Sequence, residues 1–261
     1  MIRRRLARTA GACVLAYVAV LVILFFGQRV LIYPHGRARP FPTTGERIDV
    51  EVSGGKIPVW WTAIADAPTV VFFHGNAEQV DSTARIQRML SDRDLGFAAV
   101  EYPGYGQAEA GAPNETSLLE ASHAGLAALA ERGVVRPMCV GHSLGTGVAA
   151  EAAASGLCSQ LVLIAPYTSL PDAAQSRYFF VPARWLVHDQ FATLARASTI
   201  AVPTLVLHGT RDRVIPVAQG RTLAAAIPHA RYIERSRGHN DILDGSTMDA
   251  IAEAARALAG G

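Results

Sequence analysis

Gly141-His142-Ser143-Leu144-Gly145 is the stretch of this 261-residue chain whose residue types and spacing best suit covalent chemistry. It lies between an apolar segment, Met138-Cys139-Val140, that suits a short buried strand and an alanine-rich segment, Thr146 to Ala154, that suits a helix packed close to a sheet. A sharp strand-to-helix turn at this junction would strain the serine backbone and project the Ser143 hydroxyl clear of the sheet. Small residues at Gly141 and Gly145 let the two segments approach. The helix beginning near Leu144 would then aim its free N–H groups at the reacting atoms.

A serine hydroxyl is a poor nucleophile at neutral pH and needs a base, which in turn needs an orienting carboxylate. Pro203 to His208 is a compact apolar run, and Asp212 falls in the loop after it. Arg231 to Glu234 is a second short strand candidate, and His239 follows it before a C-terminal helix pattern, Met248 to Leu258. The chain order Ser143, Asp212, His239 is the order required of a triad built on an open α/β sheet. Asp241 is the rival orienting acid, but a residue two positions from His239 usually points elsewhere. Asp172 and Asp189 read as surface charges. Among the other histidines, His142 is expected to turn away from substrate and His208 to act as a structural donor, while His35, His123, His188 and His229 read as surface or packing residues. An oxyanion needs two donors: the backbone N–H of Leu144 supplies one, and the loop His74-Gly75-Asn76-Ala77, after the apolar run Thr69 to Phe73, supplies the other. Asn76 N–H is the preferred second donor and Ala77 N–H the alternative.

Positioning these residues takes a parallel sheet whose loops converge at one edge. Glu46 to Val52 and Lys56 to Thr62 read as an antiparallel lead-in hairpin around Gly54-Gly55. Strand and helix patterns then alternate: Thr69 to Phe73, a helix near Val80 to Arg93, Ala98 to Tyr102, a helix near Glu115 to Arg132, Met138 to Val140, the elbow helix, and Leu161 to Ile164. The alternation breaks between 166 and 201, where Tyr178-Phe179-Phe180 and Trp185 stand out. This segment reads as a cap, whose aromatics either pack onto the core or receive an apolar group of a substrate.

The chain resembles the α/β-hydrolase superfamily, and within it the membrane-associated Bem46-like group related to depalmitoylase-type α/β-hydrolase-domain proteins. The resemblance rests on His74-Gly75-Asn76-Ala77, Tyr102-Pro103-Gly104-Tyr105-Gly106, Gly141-His142-Ser143-Leu144-Gly145, Pro166-Tyr167-Thr168-Ser169-Leu170, His208-Gly209-Thr210-Arg211-Asp212 and Gly238-His239-Asn240-Asp241-Ile242. It implies an α/β fold, a mostly parallel doubly wound sheet with a short cap insertion, and a Ser-Asp-His triad cleaving an ester or thioester. An amide or peptide hydrolase of aminopeptidase type would use the same triad, and a non-catalytic binding protein would share the fold. One departure is Gln107 to Gly111, where the family usually carries a serine; it bears on that loop and not on the triad.

The amino terminus is basic at Arg3, Arg4, Arg5 and Arg8, and no charged residue appears from Ala10 to Gly27. A helix there, extended a little by its flanks, can cross a hydrocarbon core of about 30 Å. An uncleaved anchor is expected over 10–27, after a basic segment 1–9 and before a linker 28–45 and a hydrolase domain 46–261; a cleaved signal peptide is the rival. The arginine cluster argues for a cytoplasmic amino terminus and a domain on the extracytoplasmic side, although Arg29, Arg37 and Arg39 weaken the bias. With 24 Lys and Arg against 22 Asp and Glu, there is no basic stripe for nucleic acid. The three cysteines make no disulfide framework, and Cys139 and Cys158 read as buried thiols. Cys-x-x-Cys, His-Glu-x-x-His and P-loop motifs are missing, so no metal or nucleotide cofactor is expected. The expected partners are a small-molecule, lipid or acylated substrate and the membrane.

Overall fold

Short apolar runs flanked by helical patterns become the central strands of one twisted sheet in the computed structural model, which describes residues 2–34 and 44–259. The lead-in hairpin forms β1 (Glu46–Val52) and β2 (Gly55–Thr62), paired antiparallel, and β2 lies antiparallel to β4 (Gly96–Val100). The others run parallel: β3 (Thr69–Phe73), β5 (Met138–His142), β6 (Gln160–Ile164), β7 (Thr204–Gly209) and β8 (Ala230–Arg235). Their order is β1-β2-β4-β3-β5-β6-β7-β8.

Successive side chains of a strand point to opposite faces, so each central strand feeds two cores. Val71, Phe73, Cys139 and Leu163 pack with α3 (Glu115–Ala130) and α4 (Gly145–Ala154) on one face. Val70, Phe72, Val140 and Val162 pack on the other with α2 (Ala84–Ser91) and α9 (Gly245–Ala259). Burial on both faces explains why these strands read as continuous apolar runs. The edge strand β8 is only half-buried. A further helix, α8 (Val217–Ala226), fills the β7–β8 crossover.

Between β6 and β7 the chain forms three short helices, α5 (Leu170–Arg177), α6 (Ala183–Leu186) and α7 (Thr193–Arg196). Ser169 caps α5 by accepting from Asp172 N–H, and the Asp172 carboxylate in the first turn accepts from Thr168, Ser169 and Arg184, so it is an engaged charge and not a free one. Asp189 is likewise engaged, accepting from the Tyr33 hydroxyl at 2.6 Å.

The amino-terminal helix, α1 (Ile2–Ile32), runs past both ends of the expected 10–27 anchor and takes in the first residues of the expected linker. It is long and apolar enough to cross a membrane. Residues 35–43, with His35, Arg37 and Arg39, lie outside the described residues.

The buried-thiol expectation for Cys139 and Cys158 is corrected: the two form a disulfide, with Cα atoms 5.7 Å apart. They are 19 residues apart, and the parallel pairing of β5 with β6 turns that separation into adjacency. Spacing alone carries no such information.

Candidate active site

β5 ends at His142 and α4 starts at Gly145, which leaves Ser143 on the turn between them at φ +50°. A Cβ on Gly141 would overlap the Gly145 carbonyl, and one on Gly145 would overlap the Phe73 carbonyl. Only glycine permits this crossing. Ser143 N–H donates to the Ile164 carbonyl at 3.0 Å, and the Thr146 hydroxyl donates to the Ser143 carbonyl at 2.6 Å, so the strained turn is held from both sides.

β7 and β8 lie side by side in register, His208 opposite Glu234, so the loops after them meet above the sheet. Arg211 N–H donates to the Arg237 carbonyl at 2.9 Å and locks the two loops together. Asp212 and His239 thereby come within 2.7 Å, Oδ2 to Nδ1, and His239 Nε2 lies 2.8 Å from Ser143 Oγ. With Nδ1–H donating to the carboxylate, Nε2 is left to accept the serine proton.

The Asp212 side chain has no solvent exposure. Its Oδ1 accepts from Val214 and Ile215 N–H at 2.7 and 2.9 Å. Burial by itself would raise this carboxyl; the imidazoles of His208 and His239 and the Ile215 N–H outweigh it and hold the group well below the usual carboxylate range. His208 Nε2 sits 3.4 Å from Asp212 Oδ2 and contacts the Ile215 carbonyl at 3.0 Å. Asp241 has a different task, accepting from Gly238 N–H at 2.6 Å to shape the His239 loop.

The loop after β3 lies against the serine: a methyl group at Gly75 would touch Ser143 Cβ. Ala77 N–H, the alternative oxyanion donor, donates to Asn76 Oδ1 at 2.9 Å. The Asn76 side chain is fixed by the Tyr105 hydroxyl and the Ile32 carbonyl at the end of α1. Beneath it His74 touches the Gly75 carbonyl through Nδ1 at 2.9 Å and Glu101 through Nε2 at 3.0 Å. Both partners are acceptors, an arrangement that favours the protonated ring. Burial pulls its pKa down, and Glu101 more than reverses that, leaving it raised.

Two groups brace this site: Glu78, which residue-type reasoning missed, and His142, which it placed only as turned away from substrate. Glu78 accepts from Gly75 N–H at 2.7 Å and lies 3.2 Å from His142 Nδ1, while His142 Nε2 donates to the His239 carbonyl at 3.2 Å. Burial opposes charge on both. Their mutual attraction prevails, holding Glu78 down at about 2 and His142 above its ordinary value. The signal lay in position: Glu78 closes the loop after β3, and His142 precedes the serine. The departing loop at 107–111 is pinned to β2 by Glu109 and Ala110 N–H groups donating to the Lys56 carbonyl. Among the described residues no three His, Cys, Asp or Glu side chains converge as a metal site.

A sequence profile of the alpha/beta hydrolase fold matches residues 68–199. An uncharacterized protein of Mycobacterium tuberculosis is 32% identical over 258 residues, covering 91% of each chain. The human alpha/beta hydrolase domain-containing protein 17C is 30% identical over 186 residues, and the match covers 67% of this chain and 53% of that protein, about half its length. An esterase of Pyrococcus furiosus superposes with a TM-score of 0.71 at 15% identity, covering 85% of this chain and 95% of that one. A monoacylglycerol lipase of Paleococcus ferrophilus gives 0.57 at 21% identity, covering 76% and 97%. At these identities the two structures share the fold.

Proposed function

This chain belongs to the α/β-hydrolase superfamily, and on that premise we propose that it is a membrane-anchored serine hydrolase cleaving carboxylic esters or thioesters through an acyl-enzyme. The reading is carried by the continuous contact from Asp212 through His239 to Ser143, at 2.7 and 2.8 Å. Ser143 Oγ attacks the carbonyl carbon as His239 Nε2 takes its proton, and Asp212 holds the imidazole and stabilises its charged form. Asn76 and Leu144 N–H groups stabilise the oxyanion. When the C–O or C–S bond breaks, His239 returns the proton to the leaving alcohol or thiol. Water then attacks the acyl-enzyme, giving its proton to His239, and Ser143 recovers one as the acid departs.

α1 would anchor the enzyme, with Arg3, Arg4, Arg5 and Arg8 on the cytoplasmic side and the domain outside. The Cys139–Cys158 disulfide supports that placement, since such bonds persist in oxidising compartments. Treatment of the full-length protein with a fluorophosphonate is expected to label wild type and to leave Ser143→Ala unlabelled and inactive on acyl esters and thioesters. Wild-type protein that resists the reagent would overturn the serine mechanism.

A further inference from the structure

Between α1 and the cap runs a groove of about 340 Å³, within the range of ligand pockets, whose walls include Val20, Leu24 and Ile32 on one side and Ala174, Val181 and Ala183 on the other. The amide on its wall, Gln28, is committed to the Phe25 and Leu186 carbonyls and to His188 N–H, and the Tyr178 hydroxyl is the other polar side-chain group among the lining residues. An apolar chain is the occupant such walls suit.

The contacts between α1 and the cap say where that chain comes from. The Tyr17 hydroxyl donates to the Phe180 carbonyl at 2.8 Å, the His188 ring meets Phe25 edge-on at 4.5 Å, and Tyr33 binds Asp189. The cap is therefore docked along α1 from Tyr17 to Tyr33, the residue just past its end. The uncharged turns before Tyr17, residues 9–16, rise only about 12 Å, well short of a hydrocarbon core of about 30 Å. A membrane-spanning α1 must carry the cap into the bilayer with it. The cap offers apolar surface to that environment, Phe179 and Trp185 being 84% and 87% exposed, while Arg184 beside Trp185 is paired with Asp172.

At its inner end the groove reaches Ile32, whose carbonyl accepts from the Asn76 side chain, and Asn76 follows the glycine that abuts Ser143. We infer that this groove takes a fatty acyl chain directly from the surrounding leaflet and leads it to Ser143, so that the substrate is a membrane-resident acyl ester or thioester. The inference rests on the serine-hydrolase reading for its chemistry but not for its binding site.

The two are separated by placing full-length protein in phosphatidylcholine vesicles that contain a phosphatidylcholine with a photoreactive diazirine on its acyl chain. Irradiation is expected to give adducts at Val181 and Ala183, which are 6% and 4% exposed and face the groove. Ala174→Phe and Leu24→Trp, which fill it from opposite walls, should each reduce those adducts and lower the ratio of palmitoyl-ester to butyryl-ester turnover by at least about tenfold. Adducts confined to the outward face of α1, or adducts at Val181 and Ala183 indifferent to both substitutions, would overturn the groove even if Ser143 is labelled by a fluorophosphonate. Groove adducts on a protein that resists the fluorophosphonate would retain the binding site and overturn the enzyme.

Discussion

Ser143 holds a positive φ that costs on the order of 1–3 kcal/mol, and it does so because the surrounding hydrogen bonds and the Gly141–Gly145 crossing allow no other path. That strain points its hydroxyl at His239, and His239 in turn depends on Asp212. Asp212 is buried, depressed in pKa and bound at both oxygens, so it stays ionised throughout the physiological range. Asp212→Asn keeps the shape but lets the imidazole adopt the wrong tautomer; kcat on an acyl ester should fall about 10³- to 10⁴-fold with the melting temperature nearly retained. Steady-state kinetics beside thermal unfolding checks this, and a loss below tenfold would show that the carboxylate is dispensable.

The loop after β3 is held by elements as much as by residues. β3 and β4 are parallel neighbours, so the residues just past their ends, His74 and Glu101, meet as a buried hydrogen-bonded pair under Gly75. Because the folded pKa of His74 is raised, its charge contributes stability that is complete below the unfolded value of about 6.5 and fades as pH rises through the folded value. Glu101→Gln removes the partner and leaves burial to act alone, so the variant should unfold more easily by about 3–5 kcal/mol at acid pH. The gap between the two proteins should narrow as pH rises, measured by urea unfolding across the pH range. A gap independent of pH would mean that His74 is neutral in the folded protein.

At the scale of the whole molecule, α1 is tied to the cap and, through the Ile32 carbonyl, to Asn76 in the loop after β3. Gln28 is buried although it lies on an apolar helix, which makes sense only because its amide ties α1 to Leu186 and His188. An extracytoplasmic domain would keep Cys139 and Cys158 paired and leave Cys13, exposed on α1, as the remaining free thiol. Alkylation of freshly isolated, unfolded protein should accordingly modify Cys13 alone before reduction and all three cysteines after it. Modification of all three without reductant would place the domain in a reducing compartment.

The local geometry of this protein was legible in its sequence because it depends on short-range rules. The glycines around Ser143 mark an elbow, apolar runs mark strands buried on both faces, and the order of Ser143, Asp212 and His239 follows from loops that leave successive parallel strands. An uncharged run behind four arginines marks a helix that can span a bilayer. Tertiary structure alone decided what depends on distance between chain-remote groups. It joined Cys139 of β5 to Cys158 just before β6, set Glu78 and His142 behind His239, and turned the Ala77 N–H onto the Asn76 side chain. It also laid the cap along α1 from Tyr17 to Tyr33. Spacing along a chain specifies which turn a residue occupies; only packing specifies which turn lies beside it.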